Sequence, residues 1–474
     1  MSPAPDFAKA LLEVLHKDID VLDHIDSYLH GDHADPYMPA NADDEYRLLA
    51  KRAVSNWCPL LVSTPAQAMF VDSVRRGDSN AEFEQDLWTH WQASRLDARQ
   101  LAVHRSALAY GHSFTVTEKR RGRWITRGLS PLTTTAIFDD PAADDEPAAA
   151  LHVITWPSEG TKPSRGTAVM WDRRHRYDIT FNSLSDPKSA TITGKRSHGL
   201  PECPVTRFAS TVDLDGRTTG VLAPVIPLQD RINQTIFDLL VAQTYSSTQV
   251  RFATGMAPPI KRDPETGKPI LDQSGNEIPL PINHNARRFL FAPDPDSKFG
   301  SLPPSPLDGL INAVELGVRH LSAVAQTPPH YLLGQLVNLS GEALMAAETS
   351  LLRKVTEFQN AFGESWERAF RLAAIGMGLE GADDADFSLE VLWRDMEMRS
   401  LAQSADGLGK LAESLEIPRR GLWTRVPGVT DQEIQYWESL AADSDMEKRL
   451  ASLAFDPLDD GGDARGDAPA STEP

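Results

Sequence analysis

Cysteine is almost absent. The chain has 474 residues and two cysteines, Cys58 and Cys203, far apart. That excludes a disulfide framework and any C-x-x-C zinc site, and a reducing compartment is expected. Long apolar runs are also lacking. No stretch of about eighteen apolar residues occurs, so no membrane span is expected. Met1–Asp20 is amphipathic with early acids, unlike a signal peptide. Positive charge is scarce: 47 Lys and Arg stand against 67 Asp and Glu, for a formal net charge of -20. Such a chain is not expected to coat nucleic acid, because tight binding needs cations to displace counterions. Handling DNA without holding it stays open. The nucleotide-binding pattern G-x-x-x-x-G-K-[ST] is missing; Gly267-Lys268 and Gly409-Lys410 lack the rest of the loop. G-x-S-x-G is missing too, and Ser340, in Asn-Leu-Ser-Gly-Glu, suits a helix N-cap better than a nucleophile.

What is present is an ordinary globular composition, 41% hydrophobic and 24% charged, with length for about three domains. Phe7, Leu11, Leu15, Leu22, Ile25 and Leu29 recur near helical spacing. Asn41 before Asp43, Asp44 and Glu45 suits a helix start. Leu87, Trp91, Leu101, Leu108 and Tyr110 continue the helical signal to Gly111, a C-cap. The texture then changes. Residues 112–117, 124–129, 133–138, 151–156, 169–171 and 177–181 are short runs rich in β-branched and aromatic residues, which predicts a mostly antiparallel sheet region. Residues 139–147 form an acidic loop.

Asp230–Gln243 predicts a helix, interrupted by Gln229, Asn233, Gln234 and Gln243. Residues 251–304 are rich in Pro, Gly, Asp and Asn and read as a small α/β or β excursion. A second helix follows, with the stripe Leu307, Leu310, Ile311, Val314, Val318, Leu321 and Val324, closed by Pro328 and Pro329. After a loop at 330–342, a helix from about Ala343 to Ile375 spans roughly 50 Å, with Gly363 a possible bend. Phe387–Trp393 alternates like a strand returning to the earlier sheet. Residues 397–453 predict two helical pieces around Pro418–Pro427. Residues 456–474 carry almost no apolar side chains and are expected to be disordered.

Two motifs invite a chemical reading. His30-Gly31-Asp32-His33, followed by Asp35, resembles a metallohydrolase ligand cluster. The favoured reading is a polar turn with Gly31 as the helix C-cap, because no second cluster completes the site. Asp383, Asp384 and Asp386 read as a solvated acidic loop. No metal or cofactor is expected, and nothing supports an enzyme. The fold class is α+β, mainly helical. Two helices flanking an excursion suggest a hairpin whose apolar stripe needs neighbours. Copies arranged head to tail would supply them and close a ring.

Six segments, in order, resemble the portal proteins of tailed bacteriophages of the long-tailed, siphovirus-like group. They are TPPHYLLGQLVNLSGEALMAAE (327–348), YLHGDH (28–33), RLLAKRAVSNWCPLLV (47–62), SALAYGHSFTVT (106–117), VLAPVIPLQDRINQTIFDLL (221–240) and FGESWERAFRLA (362–373). The resemblance implies a wing at 1–221 and 342–396, stem helices at 222–250 and 305–327, a clip at 251–304, a tunnel loop at 328–341 and a helical crown at 397–455. It also implies a homo-dodecameric ring at one capsid vertex, through which double-stranded DNA is packaged and ejected. The implied partners are the terminase large subunit, a head–tail adaptor, the major capsid protein and scaffolding protein. The ring would nucleate procapsid assembly in the host cytoplasm and remain in the virion.

Under that resemblance, His330, Tyr331, Gln335 and Asn338 are candidate tunnel residues, with Arg319 and His320 lining the stem. Packing between subunits is the alternative for each. Lys261, Arg262, Lys268, Arg287 and Arg288 are candidate clip contacts to DNA or an acidic partner. For these a solvated surface with ion pairs between subunits is the favoured reading. Gly334 and Gly341 bracket the loop as candidate hinges. Two rivals remain: a head-completion or scaffold-like protein without a channel, and a metallohydrolase on His30, Asp32 and His33.

Overall fold

The computed structural model describes residues 4–40, 42–77, 80–158, 164–247, 251–254, 260–272, 275–278, 298–301, 306–334, 341–383, 386–394, 401–426, 428–429, 433–434, 436–443 and 446. In chain order the elements are α1 (Ala4–His30), α2 (Asp44–Ala53), α3 (Cys58–Gln67), β1 (Val71–Arg76), α4 (Ala81–Ala93) and α5 (Leu96–Tyr110). Then come β2 (His112–Arg120), β3 (Arg123–Leu129), β4 (Thr134–Ile137), β5 (Ala149–Thr155), β6 (Gly166–Asp172), β7 (His175–Phe181), β8 (Thr191–Ser197) and β9 (Val205–Ala209). The chain continues through α6 (Ile226–Ser247), β10 (Arg251–Thr254), β11 (Lys298–Ser301), α7 (Asp308–Ala325), α8 (Pro329–Leu333), α9 (Gly341–Met377), β12 (Leu389–Trp393) and α10 (Leu401–Ser414). The architecture is α+β.

Two compact units divide the chain. Unit 1 comprises 1–23, 62–220 and 352–474, and unit 2 comprises 24–61 and 221–351.

In unit 1, β4-β5-β6-β7-β8 form an antiparallel meander, and β3-β2-β9 form a second sheet. Alternation along the strands sends side chains to both faces. Leu151, Val153, Met170, Tyr177, Ile179 and Phe181 take one face and pack on Ala4, Ala8, Leu11, Leu12 and Leu15 of α1. Ala150, Val169 and Trp171 take the other and pack with Phe114, Val116, Cys203 and Val205. A third part of the core is aromatic. Trp366 of α9 lies edge-on to Trp91 at 5.0 Å and to Phe208 at 4.6 Å, and Phe370 stacks on Trp91 at 5.5 Å.

Sequence expectations meet three corrections here. The 387–393 strand does not return to the large sheet; as β12 it pairs antiparallel with β1. Val71–Arg76 is too polar to announce a strand, and pairing across the chain makes it one. The helical signal from Leu87 to Gly111 resolves into two helices, broken at Ser94–Arg95, where Arg95 takes φ 56°. β8 and β9 gave no sequence signal strong enough to be predicted.

In unit 2, α6 and α7 follow the two predicted helices, with β10 paired to β11 between them. The 330–342 loop is only partly a loop, since Pro329–Leu333 closes one helical turn. α9 begins at Gly341 and continues without interruption through Gly363. The segment 456–474 lies outside the described residues.

Candidate functional site

Gln229 and Asn233 sit one turn apart on α6. Sequence pattern reads them as breaks in an apolar stripe. The structure turns both inward, to 0% and 1% exposure. A buried amide is tolerated only when its hydrogen bonds are made, and these are. Gln229 Nε2 donates to Ser55 O at 2.7 Å and to Asn233 Oδ1 at 2.9 Å, and Gln229 Oε1 accepts from Trp57 N at 3.2 Å. Asn233 Oδ1 also accepts from Ser55 N at 3.2 Å, and its Nδ2 donates to His33 Nδ1 at 2.8 Å. His33 Nε2 donates to Tyr28 O at 3.1 Å, and the two rings stack at 4.5 Å. Tyr28 donates its hydroxyl to Asp230 at 2.6 Å. Burial, then that bond, pushes the phenol up to about 12.

This network accounts for His33 of the His30–His33 motif, while His30 is exposed beside Asp26. Gly31 takes φ 87° immediately after α1, as a helix-ending glycine does. Both ring nitrogens of His33 are spent on protein partners. Among the described residues no group of three or more His, Cys, Asp or Glu is placed to hold a metal.

α7 lies close against α6. A Cβ on Gly317 would come within 2.9 Å of Ile232 Cγ1, so the glycine sets the helix separation. The predicted α7 stripe divides. Val318 and Leu321 are buried, while Ile311 and Val324 are exposed, as is Leu316 beside them. Arg319 and His320 are exposed as well. Arg231 of α6 donates from Nη2 to His320 Nδ1 at 3.1 Å, and Arg319 lies 3.6 Å from Glu315. The exposed face of the helix pair thus carries cations, one imidazole and single apolar groups.

Beyond α7, Gln326 takes φ 50° and ends the helix. Pro328 and Pro329 then preset the backbone for α8. Trp57 Nε1 donates to Leu332 O at 3.2 Å, which fastens α8 to the segment after α2. Gly334 ends α8 with φ 64°, and Gly341 opens α9. Glu348 of α9 reaches back to His330 at 3.8 Å, and His330 lies 4.6 Å from the Tyr331 ring. Burial, then the charge of Glu348, raises the Tyr331 phenol. The chain on both sides of 335–340 is therefore anchored by named contacts. Gln335 and Asn338 lie outside the described residues.

Lys261, Arg262 and Lys268 are exposed around a turn built on Asp263. Asp263 Oδ1 accepts from Glu265 N at 2.8 Å and Thr266 N at 3.2 Å, which holds its carboxyl below the usual range. Arg262 Nη1 donates to Gly267 O at 3.1 Å. Arg287 and Arg288 lie outside the described residues. The structure thus gathers His330 and Tyr331 with Glu348, and Arg319 and His320 with Glu315 and Arg231. Sequence reasoning missed Trp57, Glu348 and the inward turn of Gln229 and Asn233. The i, i+4 spacing of the two amides was the one available signal.

Residues 9–447 match a family described as phage portal protein, SPP1 Gp6-like. The chain is similar to the portal protein of Mycobacterium phage D29, with 26% identity over 368 residues, covering 74% of this chain and 71% of the relative. It is 25% identical to the portal protein of Mycobacterium phage L5, with the same coverage. Among solved structures, a chain from the virion of a native gene transfer agent particle aligns with a TM-score of 0.43 and 13% identity, over 85% of this chain and 100% of its own length.

Proposed function

The chain belongs to the SPP1 Gp6-like family of phage portal proteins, and from that membership we propose that it forms a twelve-membered ring at one capsid vertex through which duplex DNA is packaged and ejected. In this reading α6 and α7 are the stem, 251–304 is the clip, 328–341 is the tunnel loop, 397–455 is the crown, and 1–221 with 342–396 is the wing. The clip docks the terminase large subunit and later the head–tail adaptor. The wing meets capsid and scaffolding proteins. The ring seeds procapsid assembly in the host cytoplasm and stays in the virion. The protein is a structural component of the phage head; the driving ATPase belongs to a partner.

The observation that carries the reading is the family match across almost the whole chain. The helix pair is consistent with the task. A bore dense in fixed positive charge would bind phosphate and stall movement. Here Arg319 already faces Glu315, and Arg231 faces the imidazole of His320. Such groups touch a passing phosphate briefly, as do the His330 ring and the Tyr331 hydroxyl. Ile311, Leu316 and Val324 are left to pack on a neighbouring copy.

Native mass spectrometry with negative-stain imaging tests the ring. The expected result is twelve copies around a hole wide enough for duplex DNA. A monomer or dimer that persists with capsid and scaffolding proteins added overturns it and leaves a head protein without a channel. The hinge role of Gly334 is separately testable. Its φ of 64° disfavours other residues, so Gly334→Ala with Gly341→Ala is expected to slow packaging; unchanged packaging removes that role.

A further inference from the structure

One hairpin tip of this acidic chain carries a dense group of cations. Lys119, Arg120, Arg121 and Arg123 fall within five positions at the tip of the β2–β3 hairpin in unit 1. All four are exposed. Lys119 pairs opposite Trp124 and Arg120 opposite Arg123, so Arg121-Gly122 is a two-residue turn. Both turn residues have positive φ, 50° and 82°. That geometry favours Asn-Gly or Asp-Gly, and an arginine there costs backbone energy that asparagine largely avoids. Arg120 opposite Arg123 is an unfavourable cross-strand pair. One carboxylate answers the cluster. Glu118 lies 3.7 Å from Arg120 and is shared with Arg127 at 3.0 Å. Among the described residues, the side chains of Lys119, Arg121 and Arg123 have no ion pair or hydrogen bond.

A hairpin tip that works against its own turn and its own charges is explained when those charges meet something outside the chain. We propose that this tip docks the phosphate backbone of duplex DNA, without sequence preference and separately from the stem and tunnel residues. The partner class follows from what surrounds the cations. A protein partner needs apolar or aromatic anchors that become desolvated at the centre of the contact. No large hydrophobic residue between 112 and 130 is exposed. A phosphate backbone needs only spaced Lys and Arg, and the guanidinium fork suits it. A two-stranded ribbon is also narrow enough to enter a major groove. The proposal stands apart from the conduit reading, since it requires neither a ring nor a channel.

The test is fluorescence anisotropy of a labelled duplex titrated with the full-length protein across about 50 to 200 mM salt. Four cations predict a log–log salt slope of about −3.6. Arg121→Gly with Arg123→Thr is expected to shrink that slope by about 2, equally on two unrelated duplexes. Glycine relieves the turn, so thermal stability should hold or rise, which separates lost binding from misfolding. Arg121→Lys with Arg123→Lys should keep the slope. So should Lys51→Ala with Arg52→Ala, which removes two exposed cations at the end of α2. An unchanged slope in the Gly/Thr variant, or no salt-dependent binding by the natural chain, overturns the proposal. Tighter capture of polyglutamate than of duplex by the same residues overturns it in favour of an acidic protein.

Discussion

Unit 1 packs Trp91, Trp366, Phe370, Phe208 and Phe362 ring against ring, with His104 stacked on Phe362, whereas unit 2 seats Gln229 and Asn233 on the inner face of its helix α6. The two solutions constrain the backbone differently. Ring packing is set by volume, and modest shifts cost little as long as space stays filled. An amide network is directional. Sliding α6 by one residue would strand the bonds to Ser55, Trp57 and His33 together. The aromatic cluster of unit 1 is thus held by shape, and α6 is held in one register. A fixed register suits a helix proposed to stand in a ring with identical neighbours.

Acid should break the comparison most strongly. Burial pushes His104 down to about 3, and His90, His112 and His152 to about 4, all in unit 1. Trp366 Nε1 donates to His104 Nε2 at 2.9 Å, which requires that nitrogen unprotonated. A depressed histidine binds its proton in the unfolded chain first. Its contribution is therefore complete above about pH 6.5 and is lost as pH falls towards the folded value. Each such histidine should cost about 1.4 kcal/mol per pH unit in that window. Urea unfolding at stepped pH, followed by tryptophan fluorescence, checks this. His104→Gln keeps an acceptor for Trp366 and should remove about one histidine's share of the slope; an unaltered slope would show that His104 is not among the groups titrating.

The next largest effect is expected from Arg368→Met in unit 1. Arg368 donates to Val205 O at 2.7 Å, Thr206 Oγ1 at 2.9 Å, Cys203 O at 3.0 Å and Glu202 at 3.0 Å, with its side chain 3% exposed. Removing one partner of a buried pair leaves a bare charge, so a loss of about 3–5 kcal/mol is expected. Glu202→Gln combined with Arg368→Met should recover part of it. If the double variant is no better than the single, the carbonyl contacts rather than the charge carry the site.

A smaller effect, about 1–3 kcal/mol, is expected for Asn233→Ala in unit 2, which leaves His33 Nδ1 and Ser55 N without the bonds to Asn233 and takes one bond from Gln229. Trp57 is the one tryptophan in unit 2, so its fluorescence isolates the change from unit 1. Asn233→Leu tests register against mere stability. If it stabilises α6 without heterogeneity in the Trp57 signal, the network is dispensable for placing the helix.

Much of this fold is legible along the chain. The helical spacing of Leu11 and Leu15, the β-branched runs at 112–117 and 177–181, Gly111 as a C-cap and the α9 stripe through Phe358, Phe362, Trp366 and Phe370 all depend on local periodicity. Local periodicity survives in sequence because each residue's face follows from its neighbours a turn away. The six matching segments likewise carry the portal resemblance in sequence alone. Sequence alone also settled the charge balance and the scarcity of cysteine.

Other features belong to the tertiary structure. β1 became a strand only because β12 arrived from more than three hundred residues away to pair with it. Gln229 and Asn233 look like surface residues until Ser55, Trp57 and His33 surround them. Glu348 met His330 only when α9 closed the loop. The basic hairpin is a plain charge run in sequence; its opposed arginines exist only once β2 and β3 are in register. Periodicity assigns a residue to a face, but which chain segment covers that face is decided by long-range pairing, and burial and partnership change with it.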